Sequence, residues 1–193
     1  MKRICVFSGS NLGAKTSYVT ATHELGELLA REGIGLVYGG GNIGLMGILA
    51  DAALEAGGEV IGVIPETLIN RELAHRGLTE LHIVQSLHER RAKMMELADG
   101  FIAVPGGYNT IEEFCEVLTW AQYGFHQKPC GLLNIDGYFY HLLAMFNHAV
   151  GERFMRPHMR SLVLEDWNPH GLLEKLLAYE PVTIPTLASL ANI

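Results

Sequence analysis

Three short stretches of the chain concentrate residues able to hold an anion or move a proton. The first is Ser8-Gly9-Ser10-Asn11, small and rich in hydroxyls. The second is Gly39-Gly40-Gly41-Asn42-Ile43-Gly44, which satisfies G-x-G-x-x-G. The third is Pro105-Gly106-Gly107-Tyr108-Asn109-Thr110, continued by Ile111-Glu112-Glu113. Glycine lets a backbone approach an anion closely, and a strand-to-helix loop aims free N–H groups at it. Loop glycines also carry an entropic penalty, so two such clusters in one chain require a reason. For the second loop that reason is phosphate or nucleotide binding, with Gly40, Gly41 and Gly44 as contacts. A dinucleotide site would also need an acid about 20 residues on, at the end of the next strand. That strand ends in Pro65, and Glu66 is a poor substitute. For Ser8 two readings stand: a donor to phosphate or ribose, or part of an ordinary turn.

The titratable candidates have equally double readings. Thr110 and Glu113 show the S/T-x-x-E spacing of a capping box. Glu113 is therefore either a tie for the first turn of its helix or a free carboxylate facing a ligand. Glu116 lies three residues on, on the same face, and is either an assistant or a surface charge. Arg90 belongs to the charged run His88-Glu89-Arg90-Arg91, which by composition alone reads as an exposed helix face. His141 and His148 are seven apart; two ligands at that spacing do not make a zinc site, and they read as helix packing.

The elements that must position these groups alternate. Strands are expected at Arg3–Ser8, Ile34–Tyr38, Val60–Ile64, Leu81–Val84, Phe101–Val104, Gly131–Ile135 and Leu162–Leu164. Helices are expected at Ser17–Arg31, Leu45–Glu55, His88–Leu97, Thr110–Tyr123, Tyr140–Val150 and Gly171–Ala178. The polar stretch from Pro65 to Glu80, with Arg71, His75 and Arg76, reads as an irregular excursion beside a site. Alternation of this kind implies βαβ units: an α/β, doubly wound parallel sheet with helices on both faces. One domain over 1–179 is expected, followed by a tail over 180–193 without periodicity.

Bulk properties exclude several classes. The 193 residues carry a formal net charge of −7, so a basic footprint for nucleic acid is absent. Cys5, Cys115 and Cys130 are scattered and read as reduced cysteines of a cytoplasmic protein. No apolar run approaches 20 residues, so neither a membrane span nor a signal peptide is expected. The few lysines sit in no loop suited to a Schiff base, and no cofactor is expected. Met46, Met94 and Met95 fill core or dimer contacts, with Met94 retained as a candidate substrate contact.

Together, GGGNIGLMG, His88-Glu89-Arg90-Arg91 and PGGYNTIEE resemble the LOG ("Lonely Guy") family, over residues 1 to about 178. The resemblance implies a Rossmann-like fold, a homodimer, and hydrolysis of N6-modified adenosine 5′-monophosphates to free base and ribose 5-phosphate. It implies that Arg90 and Glu113 are catalytic. It implies that Gly106, Gly107 and Thr110 contact phosphate and ribose, with Ser8, Arg91, Met94, Asn109 and Glu116 also at the substrate. One departure stands out: the signature P-G-G-x-G-T-x-x-E has glycine where this chain has Asn109. Asparagine tolerates positive φ best after glycine, so the loop can keep its shape, but a side chain then stands near the phosphate. A general AMP nucleosidase and a non-catalytic nucleotide-binding module are the alternatives. Within the resemblance, a carboxylate at Glu113 would stabilise an oxocarbenium-like sugar, and Arg90 would position the departing base. Asp99 or a water would protonate that base.

Overall fold

The computed structural model describes residues 1–182; the remainder of the tail expected over 180–193 lies outside the described residues. The strands are β1 (Arg3–Phe7), β2 (Gly35–Tyr38), β3 (Val60–Pro65), β4 (Glu80–Val84), β5 (Gly100–Ala103), β6 (Cys130–Leu133) and β7 (Val163–Asp166). The helices are α1 (Thr16–Arg31), α2 (Gly44–Glu55), α3 (Leu87–Leu97), α4 (Tyr108–Gln122), α5 (Tyr140–Gly151), α6 (Pro157–Arg160) and α7 (Pro169–Leu177). All seven strands form one parallel sheet in the order β4-β3-β2-β1-β5-β6-β7. Apart from the single-turn α6, each element lies within about two residues of its expected place.

Alternation along β1 shows why helices cover both faces. Ile4 and Val6 point into a core shared with Leu25, Leu29, Leu49 and Leu172, from α1, α2 and α7. Cys5 and Phe7 point into a second core with Met94, Phe114, Val117 and Leu143, from α3, α4 and α5. Burying one such Leu, Ile or Phe side chain contributes about 1.5–3 kcal/mol, so both layers are strongly held. Met94 is only 1% exposed and belongs to this second core. His141 and His148 are exposed on α5 rather than packed. Among the described residues, no helix is long and apolar enough to cross a membrane.

The chain winds from β1 outward through β2 and β3 to β4, then returns under the sheet along α3 to start β5 on the other side of β1. The strand order therefore reverses between β1 and β5. In an open parallel sheet the crevice at that point, beyond the carboxyl ends of the strands, is where ligands are held. The loops after β1, β2 and β5 all open there.

Candidate functional site

The three glycine-bearing loops meet at the switch point. Gly9 N–H donates to the Pro105 carbonyl at 3.1 Å, and Leu45 N–H to the Gly9 carbonyl at 3.0 Å. Gly44 has φ +57°, and a Cβ there would strike the backbone of Ser10. Glycine is thus required at position 44 by conformation and by the approach of the neighbouring loop. Between the first and third loops lies a cavity of about 250 Å³, lined by Gly9, Ser10, Tyr18, Pro105, Gly106 and Gly107, among others. Tyr138 closes one side, its hydroxyl donating to the Gly106 carbonyl at 2.6 Å. Side-chain caps close α3 (Ser86) and α7 (Asn168); α1, α2, α4, α5 and α6 start without one, and of these α2 and α4 begin at the crevice. Uncapped helix starts leave N–H donors and a partial positive charge for an anion.

The PGGYNTIEE segment departs from its sequence reading in two ways. Gly107 is the N-cap and α4 begins at Tyr108, two residues ahead of the expected start. Thr110 is therefore inside the helix and only 1% exposed, so no capping box can form. Asn109 lies in the first helical turn and is not among the positive-φ residues, so asparagine's tolerance of that conformation plays no part. Asn109 is exposed at the helix start, and one turn later Glu113 is 4% exposed.

Glu113 is a buried carboxylate whose only hydrogen-bond partner in its own helix is the Asn109 side chain. Its Oε1 has no hydrogen-bond partner. Burial pushes its pKa up to about 7, against the opposing pull of Arg90, the Asn109 amide and Arg91; the Glu72 charge pushes it further upward. A carboxyl that titrates near neutrality can take and return a proton at physiological pH.

Arg90, which composition alone reads as an exposed face and the resemblance makes catalytic, is only 2% exposed. It sits at the end of the first turn of α3, where the helix dipole disfavours a cation. Its Nη2 donates to the Gly39 carbonyl at 3.0 Å, and its fork pairs with Glu72, Nη2 to Oε2 at 3.3 Å and Nη1 to Oε1 at 3.5 Å. Its Nε is buried without a partner. Ser8 Oγ and Tyr38 Oη, above the ends of β1 and β2, are likewise buried and unpartnered. Larger open grooves beside Asn70 and Trp167 contain no unpartnered buried polar atom.

Glu72 carries no motif. The only signal for it is the polar excursion from 65 to 80. That segment folds back on the second loop: Asn42 N–H donates to the Glu72 carbonyl at 2.9 Å, and His75 N–H to that of Gly40 at 2.9 Å. Gly41 bridges to Ala74. Gly40 and Gly41 are thereby fixed by the excursion. Arg91 and Glu116 are brought together with each other, Nε to Oε2 at 2.6 Å, and Arg91 also reaches Glu112 at 3.1 Å. Glu116 ties α4 to α3 and so is not a free surface charge. Asp99 lies at the opposite end of the sheet, where its carboxylate accepts from the Lys2 and Arg3 N–H groups at 2.6 and 3.1 Å. Residues at the amino ends of the strands cannot reach the crevice, which removes Asp99 as a proton source.

A family model described as "possible lysine decarboxylase" matches residues 46–176. The chain is 49% identical over 180 residues to the probable cytokinin riboside 5′-monophosphate phosphoribohydrolase LOGL6 of Oryza sativa subsp. japonica, covering 93% of this chain and 72% of that one. It is 48% identical over 180 residues to the phosphoribohydrolase LOG7 of Arabidopsis thaliana, covering 93% and 83%. Among solved structures, TM1055 matches with TM-score 0.71 at 20% identity, covering 93% of this chain and 100% of that one. The molybdenum cofactor carrier protein of Chlamydomonas reinhardtii matches with TM-score 0.69 at 21% identity, covering 92% and 99%. At those identities the two structures establish the Rossmann-like fold alone.

Proposed function

The chain belongs to the LOG family of phosphoribohydrolases, and from that premise we propose that it hydrolyses the N-glycosidic bond of N6-modified adenosine 5′-monophosphates. The observation that carries the reading is the presence of two buried, incompletely partnered groups, Arg90 and Glu113, beside two helix starts without side-chain caps. The 5′-phosphate sits on the N–H groups at the starts of α2 and α4, near Gly44, Gly107 and Thr110. Ionised Glu113 faces the anomeric carbon, where positive charge develops as the bond to the base breaks. That bond's electron pair leaves with the base. Water supplies the new bond to C1′ and gives one proton to Glu113, which can pass it on to the base. The products are free base and ribose 5-phosphate. Arg90 orients the nucleotide and, as a guanidinium, remains charged throughout.

The reading extends to a homodimer in the cytoplasm. Exposed Phe125 and Phe154, 74% and 91% accessible, support a partner surface, and three unpaired cysteines support a reducing compartment. Incubation with isopentenyladenosine monophosphate and with AMP tests the activity. We expect equimolar release of base and ribose 5-phosphate, faster from the N6-modified substrate, and a fall of at least about 10²-fold in Glu113→Ala. Equal rates would favour a general AMP nucleosidase. Nucleotide binding without release would overturn the enzyme reading in favour of a binding module. Asn109 favours that alternative, because its side chain stands at the start of α4. Under the enzyme reading, Asn109→Gly raises kcat/KM.

A further inference from the structure

We propose that Glu72 partitions the charge of the site: it occupies the terminal nitrogens of Arg90 and so keeps that guanidinium from closing on Glu113. The inference rests on the catalytic roles proposed above. The site holds one fully buried guanidinium and two carboxylates. Glu72 spans Nη1 and Nη2 of Arg90, and the Gly39 carbonyl takes a further bond from Nη2. What stays unpartnered is Nε on the cation and Oε1 on Glu113. A bidentate Arg–carboxylate pair is among the strongest charge-assisted contacts available, and a carboxylate caught in one loses its basicity. With Glu72 in place, Arg90 is close enough to favour ionised Glu113 but is held elsewhere.

Glu72 is placed to do this by its backbone. Its N–H donates to the Leu68 carbonyl at 2.8 Å, its own carbonyl accepts from Asn42 N–H, and any Cβ at position 41 would crowd its Cβ and carbonyl. The charged and titratable groups facing Glu113 are Arg90 and Arg91 from α3, Glu72 from the excursion and Cys5 from β1, with Asn109 on α4 itself. Arg91 is occupied by Glu112 and Glu116. Glu72 is thus a positioning residue acting through Arg90, and its negative charge also raises the basicity of Glu113.

Glu72→Gln removes the charge and keeps the shape. With AMP as substrate, kcat should fall about tenfold or more while KM changes less than about threefold. The acidic limb of the kcat–pH profile should move down by about half a unit or more. Glu72→Asp keeps the charge and shortens the reach: the limb should stay in place while kcat falls about threefold. A wild-type kcat and limb in Glu72→Gln overturns the proposal. If that variant loses its circular dichroism signature, an unchanged kcat in Glu72→Asp does the same. The Arg90 Nε–Hε resonance, assigned with Arg90→Lys, should shift in either variant. This readout needs no turnover, so it tests the Glu72–Arg90 hold even if the wild-type protein releases no ribose 5-phosphate, an outcome that would sink the functional reading instead.

Discussion

Glu113 shows how one residue trades stability for chemistry. Its carboxyl titrates near 7 because burial outweighs the nearby cations. Between its ordinary value near 4.5 and 7 the folded chain holds a proton that the unfolded chain has released. Stability from this group is therefore fully present below 4.5 and is lost as pH rises through 7. Glu113→Gln should then stabilise the protein by about 1–3 kcal/mol at pH 8 and by almost nothing at pH 4.5, read by urea unfolding at both values. The same substitution should abolish turnover. In the wild type, kcat should climb as pH passes about 7, where the working carboxylate forms. A flat kcat between pH 5.5 and 8.5 would show that another group carries the base role. None of this was legible from the spacing, because S/T-x-x-E describes a capping box and a free acid equally well. What separates them is where the helix starts, and Gly107 rather than Thr110 is the N-cap.

At the scale of elements, the loops and their spacing were readable, and their contacts were not. Apolar runs gave every strand: β1, β2, β3, β5 and β6 are buried almost throughout, and the half-buried edge strands β4 and β7 still carry a short apolar run. They could not show that the excursion between β3 and β4 returns to the second loop, since that contact is made by backbone groups and by Glu72. The G-x-G-x-x-G reading, for its part, explained the second loop through a ligand alone, with Gly40, Gly41 and Gly44 as contacts. Gly39 serves the protein: a Cβ there would fall on Arg90 Nη2. Its backbone is not in the left-handed region, so alanine is conformationally acceptable and only space is lacking. Gly39→Ala should leave secondary structure intact, lower stability by about 1–3 kcal/mol, and reduce kcat nearly as much as Arg90→Ala. Turnover at the wild-type level would mean that the Gly39 carbonyl is not what fixes the guanidinium.

Across the whole molecule the two ends of the sheet divide the work. Beyond the carboxyl ends of β1, β2 and β5 lie the glycine loops with the unpartnered Ser8 Oγ, Tyr38 Oη, Arg90 Nε and Glu113 Oε1; at the amino ends of β1, β3 and β5 the charged groups Arg3, Glu59 and Asp99 are matched. Asp99 accepts from two backbone N–H groups of the first strand, and Arg3 pairs with Glu59 at 2.7 Å. Burial acts to raise the Asp99 pKa, but the Lys2 and Arg3 amides more than offset it and the value is lowered. Its contribution is therefore present above the ordinary aspartate range and lost as pH falls through the lowered value. Because the side chain is exposed, Asp99→Asn should destabilise by only about 1 kcal/mol near pH 7, less at pH 3, as measured by thermal unfolding. Its kcat/KM should stay within about twofold of wild type. Composition could not separate Asp99 from Glu113, since both follow apolar segments and precede or enter structured ones. Only the direction of the strands, all parallel and all pointing their carboxyl ends toward the loops, decides which acid meets a nucleotide. A large loss of turnover in Asp99→Asn would mean that the two ends communicate through the sheet.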